Sequence, residues 1–182
     1  MIVGLYGGTF DPIHNGHVHV ITQLISRGLV DRIIVVPAGQ PQLRNGEPHA
    51  TGAQRRAMCQ LAINSLPDDV KSKVEVNPIE ILREGPSYTI DTVAAIAATY
   101  PEATVAVIVG TDAFAKVDQW HRSAELQELA DFLVIDRPGA KTPGAIDIGA
   151  LNISATEIRT QQADEVPEAV ADYIKENNLY GR

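Results

Sequence analysis

The stretch MIVGLYGGTFDPIHNGHVHV, residues 1–20, leads from a short apolar run through a glycine-rich loop into a helical pattern. The first run, residues 1–6, is largely apolar, which is typical of a β-strand covered on both faces. The helical spacing that follows is formed by Val18, Ile21, Leu24 and Ile25. A strand that a short loop joins to a helix begins a β-α-β unit, so this segment favours a parallel sheet.

The same alternation continues along the chain. Short runs rich in β-branched residues predict strands at residues 1–6, 32–37, 74–81, 104–110 and 132–136. Helical spacing of apolar residues predicts helices over residues 18–25, 51–66, 89–99 and from Pro167 onward. We therefore expect an α/β fold, a Rossmann-like doubly wound parallel sheet with helices on both faces. The length of 182 residues predicts a single domain over 1–182.

Composition and charge argue against several classes of protein. A net charge of -8, from 15 basic and 23 acidic residues, repels polyanions and argues against a nucleic-acid-binding protein. No apolar stretch approaches the roughly 18 residues of a membrane span, and the N-terminus lacks a signal-peptide pattern. The single cysteine, Cys59, excludes an internal disulfide and agrees with a reducing compartment. We expect a cytoplasmic protein without nucleic-acid or membrane partners, and a homo-oligomer is compatible with the sequence.

Two segments rich in proline and glycine interrupt the alternation, one at residues 37–50 and one at residues 136–149. Each of them follows a predicted strand. In open α/β sheets the ligand lies beyond the carboxyl ends of the strands, where such loops gather. The segments are therefore either plain surface connections or parts of a binding site, and their shared edge favours a site.

The loop between the first strand and the first helix has the features of a phosphate-binding loop. Backbone N–H groups at the start of the helix lack intrahelical partners and carry partial positive charge. Gly7 and Gly8 allow a ligand to approach the main chain closely, and Gly16 leaves room where a side chain would intrude. The loop lacks both the Walker A ending and the Gly-x-Gly-x-x-Gly pattern. It therefore predicts another kind of phosphate site.

Histidines lie in and beside this loop. His14 and His17 are three residues apart, a spacing that can bring two imidazoles to one side of a helical turn. They can donate to phosphate oxygens, ligate a metal or be structural, and the spacing favours phosphate. A metal site would have Asp11 as its nearby third ligand. His19 occupies an ordinary helix position and is expected at the surface or in packing.

The segment GGTFDPIHNGH, residues 7–17, resembles the nucleotidylyltransferase superfamily, because it matches the signature Gly-x-Phe-x-Pro-x-His-x-Gly-His at each fixed position. The resemblance implies a Rossmann-like fold and ATP as a substrate. It also implies that His14 and His17 contact the phosphates of ATP. The nucleotide cleft would be lined by Gly8, Thr9, Phe10 and Gly16.

The segment ISATEIR, which ends at Arg159, allows two interpretations. Ser154 can cap a helix, with Glu157 completing a capping box. Alternatively, the helix start, Thr156 and Arg159 can bind an anion, and both interpretations can hold at once. The superfamily has a late motif rich in Ser and Thr that ends in Arg and binds ATP phosphates. By this resemblance Ser154, Thr156 and Arg159 hold the triphosphate, although Ala155 stands where a second serine is frequent.

Three further segments resemble the bacterial nicotinate mononucleotide adenylyltransferases: GPSYTIDT at 85–92, VGTDAFAKVDQW at 109–120 and DRPG at 136–139. With the two phosphate motifs, the resemblance covers nearly the whole chain. Thr111 departs from the pattern, since an alanine is frequent there. The pantetheine-phosphate adenylyltransferases share the histidine motif but typically lack the first two of these segments, and they are one alternative. A nucleotide-binding protein of the same fold without activity is another.

The resemblance assigns roles to residues that match these motifs. Asp112 would bind the ribose of ATP, and Thr89 and Trp120 would hold the pyridine ring of the acceptor between them. Arg137 would lie near that ring, and Arg44 stands roughly where a basic loop residue, often Lys, is found. Without the resemblance, Thr89 would be a helix cap, Trp120 a core aromatic and Arg137 a solvated loop residue.

The implied reaction is attack by the phosphate of nicotinate mononucleotide on the α-phosphorus of ATP, which forms a dinucleotide and releases pyrophosphate. The attacking phosphate is already ionised, so no protein nucleophile or strong base is required. Developing charge would be neutralised by Mg²⁺, bound mainly through the phosphates of ATP, and by His14, His17 and Arg159. The residues leave nicotinate and nicotinamide mononucleotide both open as the acceptor.

Overall fold

The computed structural model describes residues 1–40, 46–161 and 164–182 of the chain. The strands in these residues are β1 (Ile2–Gly8), β2 (Arg32–Pro37), β3 (Val74–Val76), β4 (Thr104–Gly110) and β5 (Asp131–Ile135). They form one parallel sheet in the order β3-β2-β1-β4-β5. The parallel pairing and the strand order confirm the predicted doubly wound sheet.

Helices follow the strands in the predicted alternation. In chain order they are α1 (Asn15–Ser26), α2 (Gly52–Asn64), α3 (Asp68–Lys71), α4 (Ile79–Leu82), α5 (Thr89–Thr99), α6 (Thr111–Phe114), α7 (Ser123–Leu129), α8 (Ala155–Arg159) and α9 (Glu168–Glu176). Short 3₁₀ turns lie at Val117–Gln119 and Leu179–Gly181. Within the described parts of the chain, none of these helices is long and apolar enough to cross a membrane.

Two hydrophobic cores cover the two faces of the sheet. On one face, Ile21 of α1 and Met58 of α2 belong to the same buried cluster as Ile33 of β2. On the other face, Leu126 of α7 clusters with Ile34, the next residue of β2. Successive side chains of a strand point to opposite faces, so the uninterrupted apolar run of β2 fills both cores. This arrangement confirms helices on both faces.

The third strand is shorter than the sequence predicts. The expected strand covers residues 74–81, whereas β3 ends at Val76 and α4 begins at Ile79. Pro78 has no N–H group to donate to a neighbouring strand. In addition, Oδ1 of Asn77 accepts a hydrogen bond from the backbone N–H of Ile79 at 3.0 Å, which turns the chain. The prediction is therefore wrong for residues 77–81.

The carboxyl ends of β1 and β4 lie side by side at the point where the strand order reverses. Chain segments leave β1 toward β2 on one side and leave β4 toward β5 on the other, so a crevice opens between them. The histidine loop follows β1, and the two segments rich in proline and glycine follow β2 and β5. The fold therefore brings the histidine loop and the described residues of both segments to one edge of the sheet.

Candidate active site

His14 and His17 are in direct contact at the start of α1. The loop from β1 ends at His14, whose extended backbone, with φ of −142°, precedes the first helical residue. The N–H group of His14 donates to Nδ1 of His17 at 3.2 Å, and the two ring centroids are 3.7 Å apart. The two motif histidines thus lie at a helix N-terminus, where backbone N–H groups favour an anion.

Burial keeps both imidazoles neutral. Desolvation lowers the pKa of His14 to about 4. Burial and then repulsion from His14 lower the pKa of His17 well below its usual value. Because Nδ1 of His17 accepts a hydrogen bond, we assign its proton to Nε2, which can donate to a phosphate oxygen. Nδ1 of His14 is buried without a hydrogen-bond partner among the described residues. An anion bound here would raise both pKa values.

Gly8 and Phe10 shape the histidine loop. Phe10 is buried, and its φ of 50° lies in the left-handed region that residues with a side chain seldom adopt. Its ring packs edge-on against His17 with centroids 5.0 Å apart. A Cβ atom on Gly8 would lie 2.9 Å from the Phe10 ring, so position 8 favours glycine. The Phe10 ring therefore packs against His17, and the absence of a side chain at Gly8 lets the main chain pass close to that ring.

Arg159 joins the second phosphate motif to the first. Its Nη1 donates to the backbone oxygen of Asp11 at 2.7 Å, and its Nη2 donates to Oγ1 of Thr156 at 2.9 Å. Ser154 caps α8, because its side chain accepts a hydrogen bond from the N–H of Thr156 at 3.2 Å. The predicted cap is confirmed, with Thr156 rather than Glu157 as the hydrogen-bonded partner. The late motif and the histidine loop form one surface.

Two cavities open at the carboxyl edge of the sheet and share a wall. The first, which we call the histidine cavity, has a volume of about 260 Å³ and is lined by residues that include His14, Gly16, His17, Asp136 and Arg137. The second, which we call the aromatic cavity, has a volume of about 270 Å³ and is lined by residues that include Gly8, Thr9, Glu80, Thr89 and Trp120. Tyr6 and Gly110 line both cavities, so the two spaces meet at β1 and β4.

The aromatic cavity brings Thr89 and Trp120 together. Thr89 is the first residue of α5, and Trp120 follows the 3₁₀ turn at Val117–Gln119. Their sequence neighbours Tyr88 and His121 stack with ring centroids 4.1 Å apart. This stack fastens the start of α5 to the segment that carries Trp120. Sequence reasoning missed both stacking residues, although each is an aromatic residue beside a predicted site residue.

Glu80 is a buried acidic residue that also lines the aromatic cavity. It was not among the site residues predicted from the sequence. Its Oε1 accepts a hydrogen bond from Oγ1 of Thr92 at 2.7 Å. A Cβ atom on Gly39 would lie 2.0 Å from the backbone oxygen of Glu80, and the N–H of Gly39 donates to Oγ of Ser87 at 3.1 Å. The first residues of the 37–50 segment are thereby held against this cavity. An acidic residue inside an apolar run was the available signal.

Asp112 and Arg137 form an ion pair, and both side chains are more than half exposed. The motif resemblance implies that Arg137 lies near the pyridine ring, with Thr89 and Trp120. Arg137 lines the histidine cavity, and Oδ1 of the buried Asp136 accepts a hydrogen bond from the N–H of Arg137 at 3.1 Å. The histidine cavity adjoins the aromatic cavity at Tyr6 and Gly110, and the role of Arg137 beside the pyridine ring stays a prediction.

Arg55 is a buried cation that the sequence analysis did not single out. Its guanidinium donates hydrogen bonds to the backbone oxygens of Thr9, Ala38 and Ala50, at 2.7, 2.6 and 3.2 Å. These bonds join the loop after β1 to the segment after β2 and to the start of α2. An arginine at a buried position of a helical pattern is the signal that could have identified it.

The geometry does not favour the metal-site interpretation of His14, His17 and Asp11. The carboxylate of Asp11 is buried and accepts hydrogen bonds from the backbone N–H groups of His49 at 2.9 Å and Ala50 at 3.0 Å. Across residues 1–40, 46–161 and 164–182, no three His, Cys, Asp or Glu side chains are grouped to hold a metal ion. Asp11 serves instead to hold the start of α2 against the histidine loop.

Gly16, His19 and Arg44 complete the set of predicted residues. A Cβ atom on Gly16 would lie 3.0 Å from the His14 ring, so a side chain there would press on the histidine pair. Nε2 of His19 lies 2.9 Å from the backbone oxygen of Ile148, which agrees with the expected packing role. Arg44 lies within residues 41–45, outside the described residues.

Comparison with known sequences gives consistent matches over most of the chain. The sequence model of the cytidylyltransferase-like family matches residues 5–161. A probable nicotinate-nucleotide adenylyltransferase of Saccharopolyspora erythraea is 35% identical, and the match covers 98% of this chain and 89% of the relative. The nicotinate-nucleotide adenylyltransferase of Bacillus subtilis is 33% identical, over 98% of this chain and 97% of the relative.

Solved structures match the fold. Nicotinic acid mononucleotide adenylyltransferase of Plasmodium falciparum, complexed with NaAD, superposes with a TM-score of 0.80 at 23% identity. The superposition covers 99% of this chain and 97% of the other. The same enzyme complexed with APC gives a TM-score of 0.81. At this identity the likeness speaks for the shared fold.

Proposed function

Because the chain belongs to the cytidylyltransferase-like family, and within it to the nicotinate-nucleotide adenylyltransferases, we propose that it transfers the adenylyl group of ATP to nicotinate mononucleotide. The products are nicotinate adenine dinucleotide and pyrophosphate, and the reaction serves NAD biosynthesis. The protein is thus a nucleotidyltransferase.

The observation that carries the proposal is the junction of two phosphate motifs beside two adjoining cavities. The hydrogen bond from Arg159 to Asp11 brings a guanidinium to the same end of the sheet as the neutral pair His14 and His17. The histidine cavity suits a nucleotide phosphate chain. The aromatic cavity suits a flat ring, because the indole of Trp120 can stack on it.

The proposed reaction needs two anions held in line rather than a protein nucleophile. A phosphate oxygen of the acceptor attacks the α-phosphorus of ATP, the bond from that phosphorus to the bridging oxygen breaks, and pyrophosphate leaves. In our proposal Nε2 of His17 donates to a phosphate oxygen, and His14 and Arg159 favour the negative charge that moves to the leaving group. The common wall of the two cavities would hold the reacting groups next to each other.

The other predicted residues keep their roles as parts of this proposal. Asp112 binds the ribose of ATP, and Ser154 and Thr156 contact the triphosphate. Thr89 and Trp120 hold the pyridine ring. Gly8, Thr9, Phe10 and Gly16 form or support the nucleotide cleft, and Arg44 and Arg137 supply positive charge beside the substrates.

We propose that ATP enters as its Mg²⁺ complex. Mg²⁺ is commonly held by substrate phosphates and water with few protein ligands. Such binding is compatible with the described residues, among which no three His, Cys, Asp or Glu side chains are grouped to hold a metal ion. The cation would supply positive charge next to the phosphates. We further propose a cytoplasmic protein acting as one domain over 1–182, which agrees with the free thiol of Cys59.

The test is pyrophosphate release from ATP and Mg²⁺ in four reactions, with nicotinate mononucleotide, nicotinamide mononucleotide, 4′-phosphopantetheine or no acceptor. We expect release with the first acceptor, far above the second. Release with phosphopantetheine alone would assign the chain to the other transferase class. Binding of ATP without release in any reaction would indicate a nucleotide-binding protein. A His17→Ala preparation, purified in parallel, controls for contaminating activity.

A further inference from the structure

The buried carboxylate of Asp11 lies where three segments of the chain meet. It accepts hydrogen bonds from the N–H groups of His49 and Ala50, at 2.9 and 3.0 Å, and from the hydroxyl of Tyr180 at 2.8 Å. Nη1 of Arg159 lies 4.0 Å from Oδ2 of the same carboxylate. A charge removed from water needs such partners, so each of them affects how the carboxylate is held.

Tyr180 reaches Asp11 in an unusual backbone conformation. Its φ is 57°, and its neighbours Asn178 and Gly181 have φ values of 51° and 73°. A residue with a side chain persists in this region only where surrounding contacts hold it. Here Nε2 of Gln161 donates to the backbone oxygens of Tyr180 and Gly181, at 3.3 and 3.0 Å. The conformation aims the Tyr180 ring at Asp11.

The same segment is fastened to the helix of the second phosphate motif. Nη2 of Arg182 donates to the backbone oxygen of Ile158 at 3.1 Å. Ile158 immediately precedes Arg159, and Gln161 lies two residues beyond it. Hydrogen bonds from the Gln161 and Arg182 side chains therefore join the segment that carries Tyr180 to α8 and to the residues just after it. The hydroxyl of Tyr180 joins the same segment to the histidine loop.

The hydroxyl of Tyr180 remains a donor at any ordinary pH. Burial and then the negative charge of Asp11 raise the pKa of Tyr180 far above its usual value. The positive charges of Arg159 and Arg55 act on the same group in the opposite sense, so all four side chains lie within one electrostatic cluster.

We propose that Tyr180 is a positioning residue for ATP, acting through Asp11 on Arg159. The hydroxyl fixes the carboxylate, while the carboxylate and the backbone oxygen of Asp11 orient the guanidinium. The guanidinium meets the triphosphate, so this inference rests on the proposed function. Tyr180 is absent from the described linings of both cavities, so its proposed effect on ATP passes through Asp11 and Arg159 rather than through direct contact.

The experiment compares Tyr180→Phe with Tyr173→Phe. The first substitution removes the hydroxyl and keeps the ring, and the control removes a hydroxyl from a partly buried tyrosine that packs on the same core. KM is measured for ATP and for nicotinate mononucleotide, and calorimetry gives the Kd of a non-hydrolysable ATP analogue. We expect Tyr180→Phe to raise KM and Kd for the adenine nucleotide about tenfold, as loss of a hydrogen bond to a charged group does. KM for the acceptor and all values for Tyr173→Phe should remain within about twofold of the wild type.

Two results would overturn the inference. Equal rises in both KM values, or lower thermal stability with unchanged affinity for the ATP analogue, would make Tyr180 a structural residue alone. A double-mutant cycle with Arg159→Lys adds a second test, because a residue that acts through Arg159 should have much less effect in its absence, and additive effects would contradict this route. If the wild type binds the analogue but releases no pyrophosphate with nicotinate mononucleotide, the proposed function fails, while the Kd comparison still tests Tyr180.

Discussion

Arg159 donates a hydrogen bond of 2.7 Å to the backbone oxygen of Asp11, a residue 148 positions earlier in the sequence. The acceptor is a main-chain oxygen, so this bond does not depend on the ionisation of a side chain. A second bond, to Oγ1 of Thr156, fixes the plane of the guanidinium. The histidine loop and α8 are thereby joined through Arg159, and we propose that together they bind the phosphates of ATP.

Replacing Arg159 by Lys should lower kcat/KM for ATP by about a hundredfold. Lysine keeps the positive charge but cannot donate to Asp11 and Thr156 and still present a planar fork to a phosphate. Steady-state kinetics at saturating acceptor measures the change. Arg56→Lys, at an exposed position of α2, is the matched control and should be neutral. Equal activity of the two variants would contradict the role of Arg159.

Replacing His17 by Ala should lower kcat by about a hundredfold or more, because the substitution removes the Nε2 donor from the phosphate site. His19→Gln, on the same helix, should retain near-normal kcat, since Nε2 of His19 is engaged with Ile148. Circular dichroism establishes that both variants fold. A folded His17→Ala protein with wild-type turnover would rule out the proposed donor.

Replacing Trp120 by Ala should raise KM for nicotinate mononucleotide about tenfold and leave KM for ATP nearly unchanged. The reason is that the aromatic cavity would lose the flat surface on which the pyridine ring stacks. Trp120→Phe, which keeps a smaller flat ring, should show a weaker effect. Similar rises of both KM values would instead indicate that Trp120 packs the core.

The free energy of unfolding should fall as the pH is lowered from about 6.5 toward 4. Burial lowers the pKa of His14 from 6.5 to about 4 in the folded state, so over this range the unfolded chain binds more protons. The loss from His14 reaches about 3 kcal/mol at the acid end, and none of it appears above the unfolded pKa. Urea unfolding at several pH values measures it, and His14→Gln should flatten the curve. The same slope in both proteins would contradict a neutral His14.

The fold could be predicted well from the sequence because the patterns that indicate strands, helices and the phosphate loop each lie within a short stretch of the chain. The apolar run of β2 fills two cores, and the loop from Gly8 to His17 matches a phosphate motif residue by residue. The error at residues 77–81 has the same origin. Apolar spacing over so short a stretch does not separate a strand from a helical turn, and Pro78 decided the outcome.

The missed residues act through contacts between distant segments. Arg55 joins the loop after β1 to the segment after β2, and Tyr180 meets Asp11 across 169 positions. Spacing within one element carries no information about such pairs.

The common wall of Tyr6 and Gly110 also has a consequence for inhibitors. A molecule that joins a flat aromatic group to an adenosine phosphate through a short linker could occupy both spaces at once. Binding of one half would then raise the effective concentration of the other half at its own cavity, so two weak fragments would act as one tight bivalent ligand. The linker would have to pass Gly110, where the backbone adds no side chain to obstruct it.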